Sequence, residues 1–237
     1  MNIRIDILRR ATAEALPWRQ SIPFETEREN TTVAAALNEL NSGGFRDIYG
    51  EPVEPIRWDC ACLQKKCGAC AMVINGKPCL ACDAVLKTVA KKGIVTLEPL
   101  RKFPVVADLM VDRGILFENL ALMKIWAEKE LVMTDRASDE AYDASRCLQC
   151  GCCLEVCPNF CAGDDFFGAA GFVPTSRLLA SMTGEEQKRV CAAYASHAYE
   201  GCGKSLSCAK ICPAGIDIEH LLLRTNARMF RRKHDKM

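Results

Sequence analysis

The chain has 237 residues, 49% hydrophobic and 26% charged, with 31 Lys and Arg set against 30 Asp and Glu for a formal net charge of +1. This is the composition of a soluble globular protein long enough for two domains, and it excludes binding to nucleic acid through bulk charge. No apolar run approaches the roughly 18–20 residues of a membrane span.

Ile3, Ile5 and Ile7 alternate with polar residues, and alternation returns over residues 20–24; two strands are predicted, joined through Leu16-Pro17-Trp18. Arg9-Arg10 is followed by too short an apolar stretch, broken by Glu14, to read as a twin-arginine leader. Thr31 or Thr32 caps a helix with Val33, Ala36, Leu37 and Leu40 on one face, and Asn41-Ser-Gly43-Gly44 ends it. Residues 71–74 form a strand running into the hairpin turn Asn75-Gly76, and residues 94–97 form another. From Phe103 the pattern turns helical: 105–126 is apolar at helical spacing, 127–142 is a charged connection, and helices are predicted over 174–182, 185–197 and 216–230. The expected domains are 1–104 and 105–237. The first has strands around one helix with a cysteine loop before a hairpin, the setting of a β-grasp ferredoxin.

The chemistry lies in the 16 cysteines. Cys62-Leu-Gln-Lys-Lys-Cys67-Gly-Ala-Cys70, closed by Cys82, has the C-x4-C-x2-C…C spacing of a plant-type [2Fe–2S] site. Cys147-Leu-Gln-Cys150-Gly-Cys-Cys153-Leu-Glu-Val-Cys157-Pro158 is the C-x2-C-x2-C-x3-C-P run of bacterial ferredoxins, and Cys202-x5-Cys208-x3-Cys212-Pro213 repeats it with one cysteine missing. A disulfide framework does not suit a chain large enough to bury a core, with its cysteines in tight runs and Cys152 beside Cys153. Structural zinc is the stronger alternative, but zinc takes four ligands, usually as two separated pairs. Gly68, Ala69 and Gly151 keep the loops small so that backbone N–H groups can face the sulfurs, and Pro158 and Pro213 turn the chain away.

In a two-cluster ferredoxin each run gives three cysteines to one cluster and its fourth, before the proline, to the other. By that rule Cys147, Cys150, Cys153 and Cys212 hold a [4Fe–4S] cluster. Cys157, Cys202 and Cys208 are left for a [3Fe–4S] cluster, because Ser205 stands at the missing position; the alternative is a fourth iron held by the Ser205 oxygen or a stray cysteine. Cys60, Cys79, Cys152, Cys161 and Cys191 remain and read as small buried hydrophobes, with Cys60 the one placed to compete with Cys62. None of the three histidines (His197, His220, His234) sits in a catalytic pattern, and there is no nucleotide fingerprint, P-loop or G-x-S-x-G. The basic stretch 228–236 reads as a solvated helix end, or as a contact for anionic lipid headgroups.

Taken in order, the three runs resemble the iron–sulfur subunit of succinate dehydrogenase and quinol:fumarate reductase over nearly the whole chain. Cys67-Gly-Ala-Cys70-Ala-Met-Val-Ile-Asn-Gly76, Phe103-Pro-Val-Val-Ala-Asp-Leu-Met-Val-Asp112, Gly168-Ala-Ala170 and Cys212-Pro-Ala-Gly-Ile216 carry the same resemblance. It implies an α+β protein, with a β-grasp [2Fe–2S] domain followed by an all-α ferredoxin domain holding two clusters. It also implies a flavoprotein partner carrying FAD beside the first domain and a membrane anchor, of cytochrome b type, beside the [3Fe–4S] centre. Pro158, Asn159, Phe160, Cys161 and Gly203 match the family's quinone pocket. Ala162 and Gly203 replace the tryptophan and histidine of ubiquinone-type members, which points to menaquinone. The acid-converting site lies on the flavoprotein. The implied setting is the tricarboxylic acid cycle or anaerobic respiration at the cytoplasmic face of a bacterial inner membrane, or export together with the flavoprotein. A relay for a flavoprotein reductase acting on another organic acid or thiol stays open at this point.

Overall fold

Isoleucine at every second position makes β1 (Asn2–Arg9) a strand with one buried face, Ile3, Ile5 and Ile7 being at most 6% exposed. β2 (Trp18–Glu25) pairs with it antiparallel and brings Ile22 opposite Ile5 and Phe24 opposite Ile3. These belong to a computed structural model that describes residues 1–128, 130–131 and 135–234. Thr32 caps α1 (Val33–Asn41) by accepting from the backbone of Ala35, and Val33, Ala34, Ala36, Leu37 and Leu40 are buried. β3 (Ala71–Ile74) turns at Asn75-Gly76 into β4 (Lys77–Leu80); a short helix, α2 (Leu86–Val89), leads to β5 (Ile94–Glu98). The sheet order is β2-β1-β5-β3-β4, with β1 and β5 parallel and the other neighbours antiparallel.

Residues 105–112 do not continue a helical pattern. They form a small hairpin of β6 (Val105–Ala107) and β7 (Met110–Val111), and the chain divides at Asp112/Arg113 rather than at 104/105. The cause is Asp108 at the hairpin turn. Its carboxylate accepts from Arg9 Nε (2.9 Å) and Nη2 (3.2 Å) and from the backbone N–H groups of Arg10 and Arg57 (both 2.9 Å). Arg9 also donates to Gln20 and to the carbonyls of Glu54 and Pro55, so both buried charges, each 4% exposed, are fully engaged.

The second unit, Arg113–Met237, has only helices as regular elements among its described residues. α3 is shorter than its apolar pattern suggested (Gly114–Leu122), and the charged connection carries a helix, α4 (Asp135–Ser145). α5 (Cys152–Glu155) precedes α6 (Gly168–Leu179), which starts well before Pro174 and so contains it. α7 (Gly184–Tyr194) runs into a π-helical turn, Ala195–Tyr199, where the carbonyl of His197 accepts from Phe167 N (2.8 Å). α8 (Ser207–Ile211) and α9 (Ile218–His234) close the unit. Phe167, Phe172, Tyr194, Leu221 and Met229 are among its core, with Cys147, Cys153, Cys202, Cys208 and Cys212 packed against them. Arg228 is not a solvated tail residue: it and Arg224 pair with the buried Glu140 of α4. Side chains 230–236 of the proposed lipid contact lie outside the described residues.

Asp108→Ala leaves Arg9 buried without its counter-charge, which costs about 3–5 kcal/mol. The expected outcome is a correspondingly lower urea midpoint of the purified protein, with Asp108→Asn losing less.

Candidate metal centres

The hairpin of the first unit fixes two cysteines. Ala71 pairs with Leu80, so Cys70 enters β3 at the end where Cys82 leaves β4, and Ala81 N donates to Cys70 O at 3.0 Å. The start of α1 holds the Cys82 segment through Val33 N→Ala84 O (2.8 Å) and Ala34 N→Ala81 O (3.0 Å). Between Cys62 and Cys70 the backbone turns left-handed at Leu63, Lys65 and Gly68. The turns aim Gln64 N and Lys66 N at Cys62 Sγ and Lys65 N at Cys82 Sγ, all at 3.3 Å. The Gln64 and Lys66 donors, which spacing alone did not single out, draw the Cys62 thiol down to about 7; burial pushes Cys70 up to about 12. Cys62 interacts with Cys67, and Cys70 with both Cys82 and Cys67, so the four lie together.

In the second unit the two cysteine runs cross. Cys147, Cys150 and Cys153 line one recess with Cys212, together with Gln149, Ala169 and Val173, around about 390 Å³ partly open to solvent. Cys157 lines another with Cys202, Cys208 and Ser205, of about 430 Å³. Ala169 lines both. Two side chains tie the runs across one another. Arg146, just before Cys147, donates to Gly215 O beyond Cys212 (2.6 Å), and Asn159, just after Cys157, donates to Gly201 O before Cys202 (2.6 Å).

Burial pushes Cys147 up to about 11 and raises Cys153 well above the ordinary thiol value. A hydrogen bond with the Cys152 side chain draws Cys150 down to about 7, with the Arg113 guanidinium contributing. Thiols raised by burial, as Cys147 and Cys153 are, are held deprotonated by a positively charged core beside them. Among the described residues no three His, Cys, Asp or Glu side chains close on a single ion-sized point. In the helical unit seven cysteines line the two recesses, an arrangement that fits compact inorganic clusters.

Of the residues matched to a quinone pocket, Pro158, Asn159 and Gly203 line the Cys157 recess. Phe160 is buried elsewhere in the core and Cys161 is exposed; neither lines it. Cys152 is fully buried and Cys79 and Cys191 are partly so, but Cys60 and Cys161 are exposed, against the expectation of buried hydrophobes for all five. Cys60 enters none of the sulfur contacts described for Cys62, Cys70 and Cys82. Phe166 and Lys204 also line the second recess, though no spacing rule marks them.

A mixed α/β unit with one cysteine loop, followed by a helical unit with two crossed cysteine runs, defines an iron–sulfur protein. The sequence profile described as "2Fe-2S iron-sulfur cluster binding domain" matches residues 4–118. The succinate dehydrogenase iron–sulfur subunit of Bacillus subtilis is 35% identical over 97% of this chain and 95% of its own length. The fumarate reductase iron–sulfur subunit of Wolinella succinogenes is 31% identical over 97% of each. A chain of the Mycobacterium smegmatis Sdh1 complex in the apo form has the same fold, with a TM-score of 0.78 at 20% identity over 98% of this chain and 97% of its own. The chain belongs to the family of succinate dehydrogenase and fumarate reductase iron–sulfur subunits.

A Cβ at Gly201 would stand 2.4 Å from the Phe166 ring, whereas one at Gly203 would meet only the end of the Asn159 side chain at 3.1 Å. Gly201→Ala therefore displaces a ring from the recess wall and costs about 1–3 kcal/mol, and Gly203→Ala costs less. Thermal unfolding of the two variants side by side checks that order.

Proposed function

We propose that this chain is the electron-transfer subunit of a membrane-associated succinate dehydrogenase or fumarate reductase, relaying single electrons between FAD on a flavoprotein and a quinone at a membrane anchor. The observation that carries it is the exchange of Cys212 and Cys157 between the two recesses of the helical unit. It matches the ligand sharing of two-cluster ferredoxins, and family membership supplies the partners.

In this reading Cys62, Cys67, Cys70 and Cys82 hold a [2Fe–2S] cluster in a β-grasp domain. Cys147, Cys150, Cys153 and Cys212 hold a [4Fe–4S] cluster, and Cys157, Cys202 and Cys208 a [3Fe–4S] cluster, in a helical ferredoxin domain. Such clusters, when bound, supply one-electron donors and acceptors. The chain's own groups do the rest. The N–H groups of Gln64, Lys65 and Lys66 stabilise negative charge on the sulfurs of Cys62 and Cys82. Phe166, Phe172 and Leu222 give the Cys157 recess an apolar wall, and the small side chain of Ala169 keeps the two recesses close.

Pro158, Asn159 and Gly203, at the same recess, are the quinone contacts this reading keeps; Phe160 and Cys161 sit outside it. Ala162 and Gly203 favour menaquinone. No helix among the described residues is long and apolar enough to cross a membrane; the anchor in this reading is a partner of cytochrome b type that the family resemblance supplies. The chain lies peripherally at the cytoplasmic face, or travels with an exported flavoprotein. No acid-converting site is assigned to it.

Succinate added to the complex isolated with its flavoprotein is expected to reduce this chain's centres, seen as an EPR signal of the reduced [2Fe–2S] type; reduction by a different acid, with succinate inert, contradicts the reading. Ser205→Cys supplies the missing thiolate in the second recess. It is expected to replace the oxidised [3Fe–4S] signal with that of a fourth-iron centre and to add iron to the purified complex.

A further inference from the structure

Gln149 sits inside the second cysteine run in an unfavourable setting. Its backbone is left-handed (φ +50°), a region that a long L side chain adopts at a cost, and its Oε1 is buried without a hydrogen-bond partner. What it gains is on the nitrogen side: Nε2 lies 3.2 Å from Cys147 Sγ and 3.1 Å from Ala170 O. A thiolate sulfur and a carbonyl are both acceptors, so the chemistry of the partners fixes the NH2 group, and not the oxygen, on that side.

Ala170 O is free to accept for a reason written in the sequence. In α6 the N–H that would bond it belongs to residue 174, four positions on, and residue 174 is a proline. Pro174 thus opens a carbonyl in the helix, the Gln149 amide fills it, and the second N–H of the same amide is left pointing at Cys147 Sγ. Arg146→Gly215 O holds the same loop from its other side. The cysteine loop is clamped on α6, whose Ala169 lines both recesses.

We infer that Gln149, set by Pro174, is the residue that tunes the reduction potential of the centre held by Cys147, Cys150, Cys153 and Cys212. Adding an electron to such a centre increases the negative charge on its thiolates. A donor fixed on one of them favours the reduced form and raises the potential. No proton or bond changes hands; the effect lies on a one-electron couple. The inference rests on the four-thiolate reading given above.

The test is an EPR-monitored redox titration of the assembled complex carrying Gln149→Leu. The reduced form of the [4Fe–4S] centre is expected to be disfavoured about tenfold, a fall in midpoint of about 59 mV for one electron, with iron content and the other two midpoints unchanged. Gln149→Glu, of nearly the same shape, keeps the packing but turns an acceptor toward the sulfur, and is expected to lower the midpoint further as pH rises. Pro174→Ala returns a competing N–H to Ala170 O and is expected to move the midpoint in the same direction by less. An unchanged [4Fe–4S] midpoint in Gln149→Leu, or in Gln149→Glu where the leucine variant does not assemble, overturns the inference while leaving the cluster reading intact. Absence of a [4Fe–4S] signal from the unsubstituted complex removes the reading beneath it instead.

Discussion

Two hydrogen bonds from side chain to backbone decide what the helical unit can hold. Arg146 reaches Gly215 O and Asn159 reaches Gly201 O, so each cysteine run is pinned to the other at the point where it must give up one thiol. Without that crossing the second run would present four thiols in sequence and the third only three, none of them arranged around a common space. With it, two recesses form from seven cysteines and share Ala169 in their walls. Arg146 makes its tie from outside its recess, whereas Asn159 is itself part of the wall beside Cys157. The crossing also explains why the elements around the recesses are short: α5 and α8 have four and five residues, enough to turn the chain between ligands and no more.

The first unit solves the same problem with a sheet. Pairing of Ala71 with Leu80 sets Cys70 and Cys82 at one end of a hairpin, and a strained loop brings Cys62 and Cys67 to them. The strain is offset by a framework in which charge is buried only where it is completely answered. The Arg9 and Asp108 side chains meet five polar groups besides each other, and through them β1, the 54–57 segment and the β6–β7 hairpin are fastened together. Asp108 N donating to Arg10 O and Leu109 N to Arg57 O complete that junction.

Much of this was legible in the residues. Alternating isoleucines announced β1, Thr32 and the apolar face of Val33–Asn41 announced α1, and Asn75-Gly76 announced the hairpin, because each depends on local chemistry alone. The cysteine spacings pointed to the same groupings that the recesses assemble, since a compact core dictates how far apart its ligands sit in sequence. What stayed hidden was non-local. Residues 105–111 are apolar enough for a helix and become a hairpin because Asp108 is drawn to Arg9, ninety-nine positions away. α6 begins six residues before Pro174, since the proline's missing N–H is tolerated where Gln149 fills the carbonyl it leaves. Arg228 looked like part of a solvated tail because its partner, Glu140, lies on another helix. Phe160 and Cys161 stand just beyond Pro158 and Asn159 and yet are not among the residues that line the Cys157 recess, which nearness in sequence could not reveal.

The central claim is that eleven thiolates are divided four, four and three among separate inorganic centres. Quantitative iron, zinc and acid-labile sulfide analysis of anaerobically purified complex, normalised to this chain, tests it most directly. The account predicts about nine irons per chain, with sulfide to match and no zinc. Zinc in the helical unit, or iron sufficient for the [2Fe–2S] site alone, would contradict it.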